Sequence, residues 1–69
     1  LKMQYDSQLD RWYALDFEPL DLHCGDTFLM EIGEHVISCR IELDSDWYII
    51  SNNLRFRLHP SQTYHIKLL

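Results

Sequence analysis

Few residue types in this chain can do chemistry, and their spacing limits what they can do. The stretch LHCGD (22–26) sets His23 and Cys24 side by side, followed by Gly25 and Asp26. A cysteine nucleophile needs a lowered pKa and a base placed against it. Neighbouring residues of an extended chain point in opposite directions, so this local pair does not serve. The expected role is a structural loop in which Gly25 turns the chain and Cys24 packs beneath it. His35 and Cys39 add two more ligand types for a metal. Zinc favours four such ligands in a tetrahedral set. His35 and Cys39 share a strand face but stand about 13 Å apart at strand rise, too far for one ion. Cys39 also lies among Ile37, Ile41 and Leu43, where a thiol behaves as a small hydrophobe. Asp44 and Asp46 flank a turn, a position that favours aspartate for local hydrogen bonding. Two glycines in the whole chain leave no phosphate-gripping loop. No catalytic residue, metal or cofactor is expected, and the chain is not read as an enzyme.

What remains is RIELDSDWYIISNNLRFRL (40–58), which holds Arg40, Glu42, Tyr48, Ile50, Arg55 and Arg57. Arginine and tyrosine are enriched at binding hot spots. Both also stack on nucleobases, and arginine clamps phosphate. Whether these residues share one surface depends on the strands that carry them.

Period-2 alternation recurs along the chain, and no long stretch has a helical period. Leu1, Met3 and Tyr5 alternate with polar residues in a first strand, DSQLD (6–10) is turn-like, and RWYAL (11–15) is a second strand. The stretch DFEPLDLHCGD (16–26) reads as irregular, because Pro19 denies a donor to a ladder and Gly25 suggests a special backbone angle. A short helical turn near Phe17–Leu20 is compatible with it. TFLMEI (27–32) and HVISCRIEL (35–43) are strands joined at Gly33–Glu34, most simply by a type II′ turn with glycine first. DSD (44–46) is a turn, WYIIS (47–51) a strand, NN (52–53) a turn that asparagine tolerates, LRFRL (54–58) a strand, HPSQT (59–63) a loop, and YHIKLL (64–69) a last strand.

Register is testable, because a one-residue slip exchanges the two faces of a strand. The Gly33–Glu34 loop sets Ile32 opposite His35, Met30 opposite Ile37 and Phe28 opposite Cys39. A three-residue loop at 44–46 sets Leu43 opposite Trp47 and Ile41 opposite Ile49; a two-residue loop there would instead pair Leu43 with Tyr48. The Asn52–Asn53 loop sets Ile49 opposite Phe56 and Trp47 opposite Leu58. All three choices put the apolar residues on one side, with Trp12, Trp47 and Phe56 in the core. The other side then carries Glu42, Tyr48 and Arg57 in one row and Arg40, Ile50 and Arg55 in the next, beside Thr27 and Leu29. Five to six strands of this kind predict one all-β domain over residues 1–69, a small SH3-like barrel or strongly curled antiparallel meander, because closure hides strand edges. Edge pairing by Leu1–Tyr5 or Tyr64–Leu69 offers a route to a homodimer.

Composition narrows the partner. The chain has 69 residues, 46% of them hydrophobic and 13% aromatic, which fits a small folded core. Its net charge of −5 disfavours broad binding to DNA or anionic membranes. All eleven acidic residues lie at or before Asp46, leaving Arg55, Arg57 and Lys67 as the charges beyond it. That split raises either plain segregation between strands or a local basic patch on an acidic body. Two cysteines make no disulfide framework, and no stretch resembles a signal peptide or membrane span, so a cytoplasmic protein is expected. The chain opens on Leu1 rather than Met, which leaves its natural start open.

At LHCGD (22–26), RIELDSDWYII (40–50) and LRFRL (54–58) the chain resembles DUF5348, an uncharacterised family of small proteins found in Firmicute bacteria, often on plasmids and conjugative elements. The resemblance covers about half the chain and implies a bacterial, intracellular setting, with no assigned activity. The resulting expectation is a non-catalytic interaction module, an accessory protein of a mobile element, that binds a protein partner through Arg40, Glu42, Tyr48, Ile50, Arg55 and Arg57. The alternative is a nucleic-acid-binding barrel using the same face. A third reading, an acidic mimic of nucleic acid, is permitted by the acid count but not favoured by its spread.

Overall fold

The computed structural model describes residues 1–69. It contains eight strands and no helix: β1 (Lys2–Asp6), β2 (Arg11–Leu15), β3 (Pro19–Asp21), β4 (Thr27–Ile32), β5 (His35–Leu43), β6 (Trp47–Ser51), β7 (Leu54–Arg57) and β8 (Tyr64–Leu68). They form one antiparallel sheet in the order β3-β2-β1-β8-β4-β5-β6-β7. The all-β class holds, and the strand count exceeds the expected five to six. Seven of the eight coincide with stretches read individually as strands, and the one without a counterpart is β3, which falls inside the stretch read as irregular, where neither a loop throughout nor a helical turn is found. Pro19 opens this strand at the rim of the sheet, where a missing donor breaks no ladder bond.

Residues β4 to β7 form the expected meander, and its register is the one that the hydrophobic pattern dictates. Ile32 faces His35, Met30 faces Ile37 and Phe28 faces Cys39; Leu43 faces Trp47 and Ile41 faces Ile49; Ile49 faces Phe56. Leu58 lies just past β7, yet its N–H still donates to the Trp47 carbonyl at 2.9 Å. The turns supply the required chirality. Gly33 has φ +60° while Glu34 stays at negative φ, as a II′ turn demands, and Asn52 and Asn53 have φ of 51° and 65°, the pair of left-handed angles of a I′ turn.

The C-terminal strand decides the topology. β8 inserts between β1 and β4, pairing Met30 with Ile66 on one side and Met3 with Tyr64 on the other. The N–H of Leu1 donates to the Ile66 carbonyl at 2.9 Å, and Ile66 N–H returns the bond to Leu1 at 2.8 Å. Both segments expected to be free for edge pairing are therefore interior to the sheet. The open edges are β3 and β7.

The sheet curls on itself. β2 and β6 are five strand steps apart, about 24 Å if flat. Yet Trp47 Nε1, on β6, donates at 3.0 Å to Asp10 Oδ1 in the β1–β2 turn. The concave side encloses a core of Met3, Trp12, Ala14, Leu22, Phe28, Met30, Cys39, Ile41, Trp47, Ile49, Leu58 and Ile66. Trp12 stacks at tilted angles between Tyr5 and Tyr64, with ring centroids 5.4 and 5.6 Å away. Trp12 and Trp47 take the expected core positions, but Phe56 does not: it remains 44% exposed. Its side chain points to the concave side, but β7 is an edge and no element covers it there.

Candidate functional site

The convex side of β5, β6 and β7 gathers all six residues singled out in the sequence. Cross-strand pairs Glu42–Tyr48 and Tyr48–Arg57 build one row, and Arg40–Ile50 and Ile50–Arg55 build the next. Thr27 of β4 lies opposite Arg40 and extends the second row. Alternation buries Trp47, Ile49 and Ser51 and leaves Tyr48 and Ile50 half-buried on the outer side. Ser51 is the one buried polar residue, and its hydroxyl donates to the Ser38 carbonyl at 2.9 Å.

Each arginine is held by a specific partner. Arg40 Nε donates to Glu42 Oε2 at 2.7 Å, two positions along the same strand. The Arg55 guanidinium lies over the Tyr48 ring, 3.6 Å from its centroid, and reaches Asp44 Oδ2 at 3.6 Å. Arg57 Nε stands 3.7 Å from Asp46 Oδ2. The face is thus a half-buried aromatic and aliphatic centre bordered by arginine–carboxylate pairs. It is charge-compensated and not a bare basic patch. Exposed pairs of this kind contribute about 0–1 kcal/mol each, so they orient the guanidinium groups without locking them.

Asp44 and Asp46 were missed as members of this face. Backbone bonding accounts for the turn itself, with Asp44 N–H donating to the Asp46 carbonyl at 3.1 Å, and the carboxylates reach out to β7 instead. The signal was present in the register: Asp46 shares parity with Tyr48 and sits one diagonal step from Arg57.

The LHCGD segment is structural, with one correction. Gly25 has φ +92° and its N–H donates to the Ile41 carbonyl at 2.9 Å, while Ile41 N–H donates to the Asp26 carbonyl at 3.0 Å. Asp26 Oδ2 accepts from His23 N–H at 2.8 Å. The loop is stitched to β5, and Leu22 fills the core. Cys24, expected beneath Gly25, is exposed. Cys39 is buried, and desolvation pushes its thiol up to about 11. No three His, Cys, Asp or Glu side chains converge.

A second polar cluster had no sequence signal. Asp10 Oδ1 accepts from Tyr5 Oη at 2.5 Å and from Trp47 Nε1 at 3.0 Å. The hydrogen bond from Tyr5, then that from Trp47, hold the Asp10 carboxyl below the ordinary aspartate value. The same Tyr5–Asp10 bond raises the Tyr5 phenol. Arg11 caps the cluster, with its guanidinium 5.6 Å from the Trp47 ring and Nη1 donating to the Leu22 carbonyl at 2.9 Å. Tyr5 and Asp10 are five positions apart in sequence, but Asp10 and Trp47 are 37 apart, and only the curl brings the second pair together.

The fold and this face define a small all-β domain that displays a compact, mixed aromatic and ionic surface. A family model described as a domain of unknown function, DUF5348, matches residues 1–68, and the chain belongs to that family. No curated protein and no solved structure matches the chain.

Proposed function

We propose that this domain is a non-catalytic interaction module that binds a protein partner through Arg40, Glu42, Tyr48, Ile50, Arg55 and Arg57. The observation that carries this reading is the Arg55–Tyr48 stack beside half-buried Ile50, with each arginine held by a carboxylate. Pre-positioned aromatic and arginine side chains lose little entropy on binding, which is what makes such residues hot spots. The alternative, nucleic-acid binding by the same face, draws less support, because Glu42, Asp44 and Asp46 border the arginines and the chain carries a net charge of −5, which opposes the approach of a long polyanion. An intracellular bacterial setting, on a mobile element, belongs to the same proposal and rests on the family resemblance and the unpaired thiols.

The test is capture from lysate of the source organism by the intact chain, by Tyr48→Ala/Ile50→Ala and by Arg55→Glu/Arg57→Glu. A partner retained by the parent and lost by both variants is expected. Equal recovery by all three removes this face from consideration. Titration of single- and double-stranded oligonucleotides across a salt series separates the alternative, which requires affinity to fall steeply with salt.

A further inference from the structure

The two rims of the sheet are not equivalent. β3 is three residues long and begins with Pro19. Leu22 N–H donates to the Trp12 carbonyl, so alternation along the ladder turns the backbone of Asp21 and Pro19 outward. Proline has no N–H to offer there, and this rim is blunted in the way natural edges are.

β7 has no such protection. The Leu58–Trp47 bond fixes the phase of its ladder. Leu54 and Phe56 therefore direct their backbone groups at β6, and Arg55 and Arg57 direct N–H and C=O into solvent. Side chains alternate the other way. Leu54 and Phe56, 60% and 44% exposed, project to the concave side, while Arg55 and Arg57 project to the convex side. Both sides of this rim, and its backbone, are incompletely covered.

We propose that the β7 rim is a strand-addition site for an extended segment of a partner protein in which acidic and apolar residues alternate. This rests on the protein-binding reading above and specifies how the partner engages. The segment's backbone continues the ladder at Arg55 and Arg57. Its apolar side chains cover Leu54 and Phe56, and its carboxylates meet the two guanidinium groups. The pairs that these groups make with Asp44 and Asp46, at 3.6 and 3.7 Å between largely exposed side chains, are loose enough to be shared or exchanged. Charge selects the occupant. A second copy's β7, paired antiparallel about Phe56, sets Arg55 against the other copy's Arg57, and its β3 is too short and lacks the donor. Strand addition draws affinity from main-chain bonds and specificity from alternate side chains, and the rim offers both.

The probe is a capped peptide, Glu-Val-Glu-Val-Glu-Val, compared with the block sequence Glu-Glu-Glu-Val-Val-Val of identical composition and charge. Binding is followed by amide-resolved NMR of the intact chain. The alternating peptide is expected to bind about tenfold more tightly than the block peptide and to slow hydrogen exchange at the Arg55 and Arg57 amides. The Phe56 amide is already bonded to β6 and is expected to change little. Arg57→Pro removes the outward N–H without touching the β6 ladder, and Arg57→Gln removes the charge alone. The proline variant is expected to lose binding, with the glutamine variant weakened by a few-fold. Three results overturn the proposal: no binding of the alternating peptide, equal binding of both peptides, or binding with the two amides left unprotected. In the last case shifts at Arg40, Tyr48 and Ile50 would leave the face reading standing while the rim reading falls. The exchange measurement uses the parent chain, so it decides the matter even if Arg57→Pro fails to fold.

Discussion

Ile49 and Phe56 face each other across β6 and β7, and the structure assigns them very different energetic weights. Ile49 is 2% exposed and Phe56 is 44% exposed. Ile49→Val deletes one methylene inside a packed core, which costs about 1 kcal/mol from the lost transfer energy and a small cavity. Phe56→Ala deletes a whole ring, a change that costs about 3–5 kcal/mol when the ring is buried. At Phe56 nothing lies over the ring, so no cavity forms. Only about half of the ~1.5–3 kcal/mol for full burial is at stake, near 1 kcal/mol. The two variants should therefore be almost equally destabilised although one loses a single carbon and the other a phenyl group. Urea unfolding followed by tryptophan fluorescence measures both. With a slope of about 1 kcal/mol/M for so small a domain, each midpoint should fall by roughly 1 M. A loss of 3 M or more for Phe56→Ala, with the slope unchanged, would show that the ring is covered. It would refute the reasoning that leaves the concave side of β7 open.

Other outcomes follow from the same geometry. Asp10 has a folded-state pKa below its unfolded value, so its stabilisation is present above the unfolded pKa and is lost as pH falls through the folded one. Thermal unfolding from pH 7 to pH 2 should show an acid limb that is shallower in Asp10→Asn, and an unchanged limb would mean that the Tyr5–Asp10–Trp47 cluster is not what titrates. Tyr5 has the opposite sign: its pKa is raised on folding, so its contribution is present below the unfolded value and disappears as pH rises through the folded one. Cys24 is exposed and Cys39 buried with a thiol near 11, so a disulfide reagent should modify one thiol promptly and the second only in denaturant; two prompt equivalents would place Cys39 at the surface. Gly33 has φ +60° with open space where a Cβ would go, so Gly33→Ala should lose about 1 kcal/mol from backbone strain alone, and Gly33→Asn less. Equal stability of both with the parent would show that the II′ turn is not formed.

Much of the fold was legible because β4 to β7 are linked by short turns. A short turn leaves only two register choices, and the alternation of Phe28, Met30, Cys39, Ile41, Trp47 and Ile49 with polar residues eliminates one. Burying the wrong set means burying Arg40 and Glu42, which is prohibitive without partners. The same choice places the arginines together outside, so the six residues of the candidate face were readable from sequence.

Tertiary structure alone decided the rest, because local alternation carries no information about what crosses the sheet. Nothing in YHIKLL says that it lies between β1 and β4, nor in EPLD that Pro19 begins an edge strand. Phe56 has the pattern of a core residue and Cys24 the setting of one, yet burial depends on an element arriving above them, and none arrives. The Asp10–Trp47 bond exists because a twisted sheet of eight strands coils until its distant parts touch. Sequence thus settled which side of each strand turns inward, a matter of neighbours two residues apart. The curl settled which rims stay open and which charges meet, a matter of strands brought together across the whole sheet.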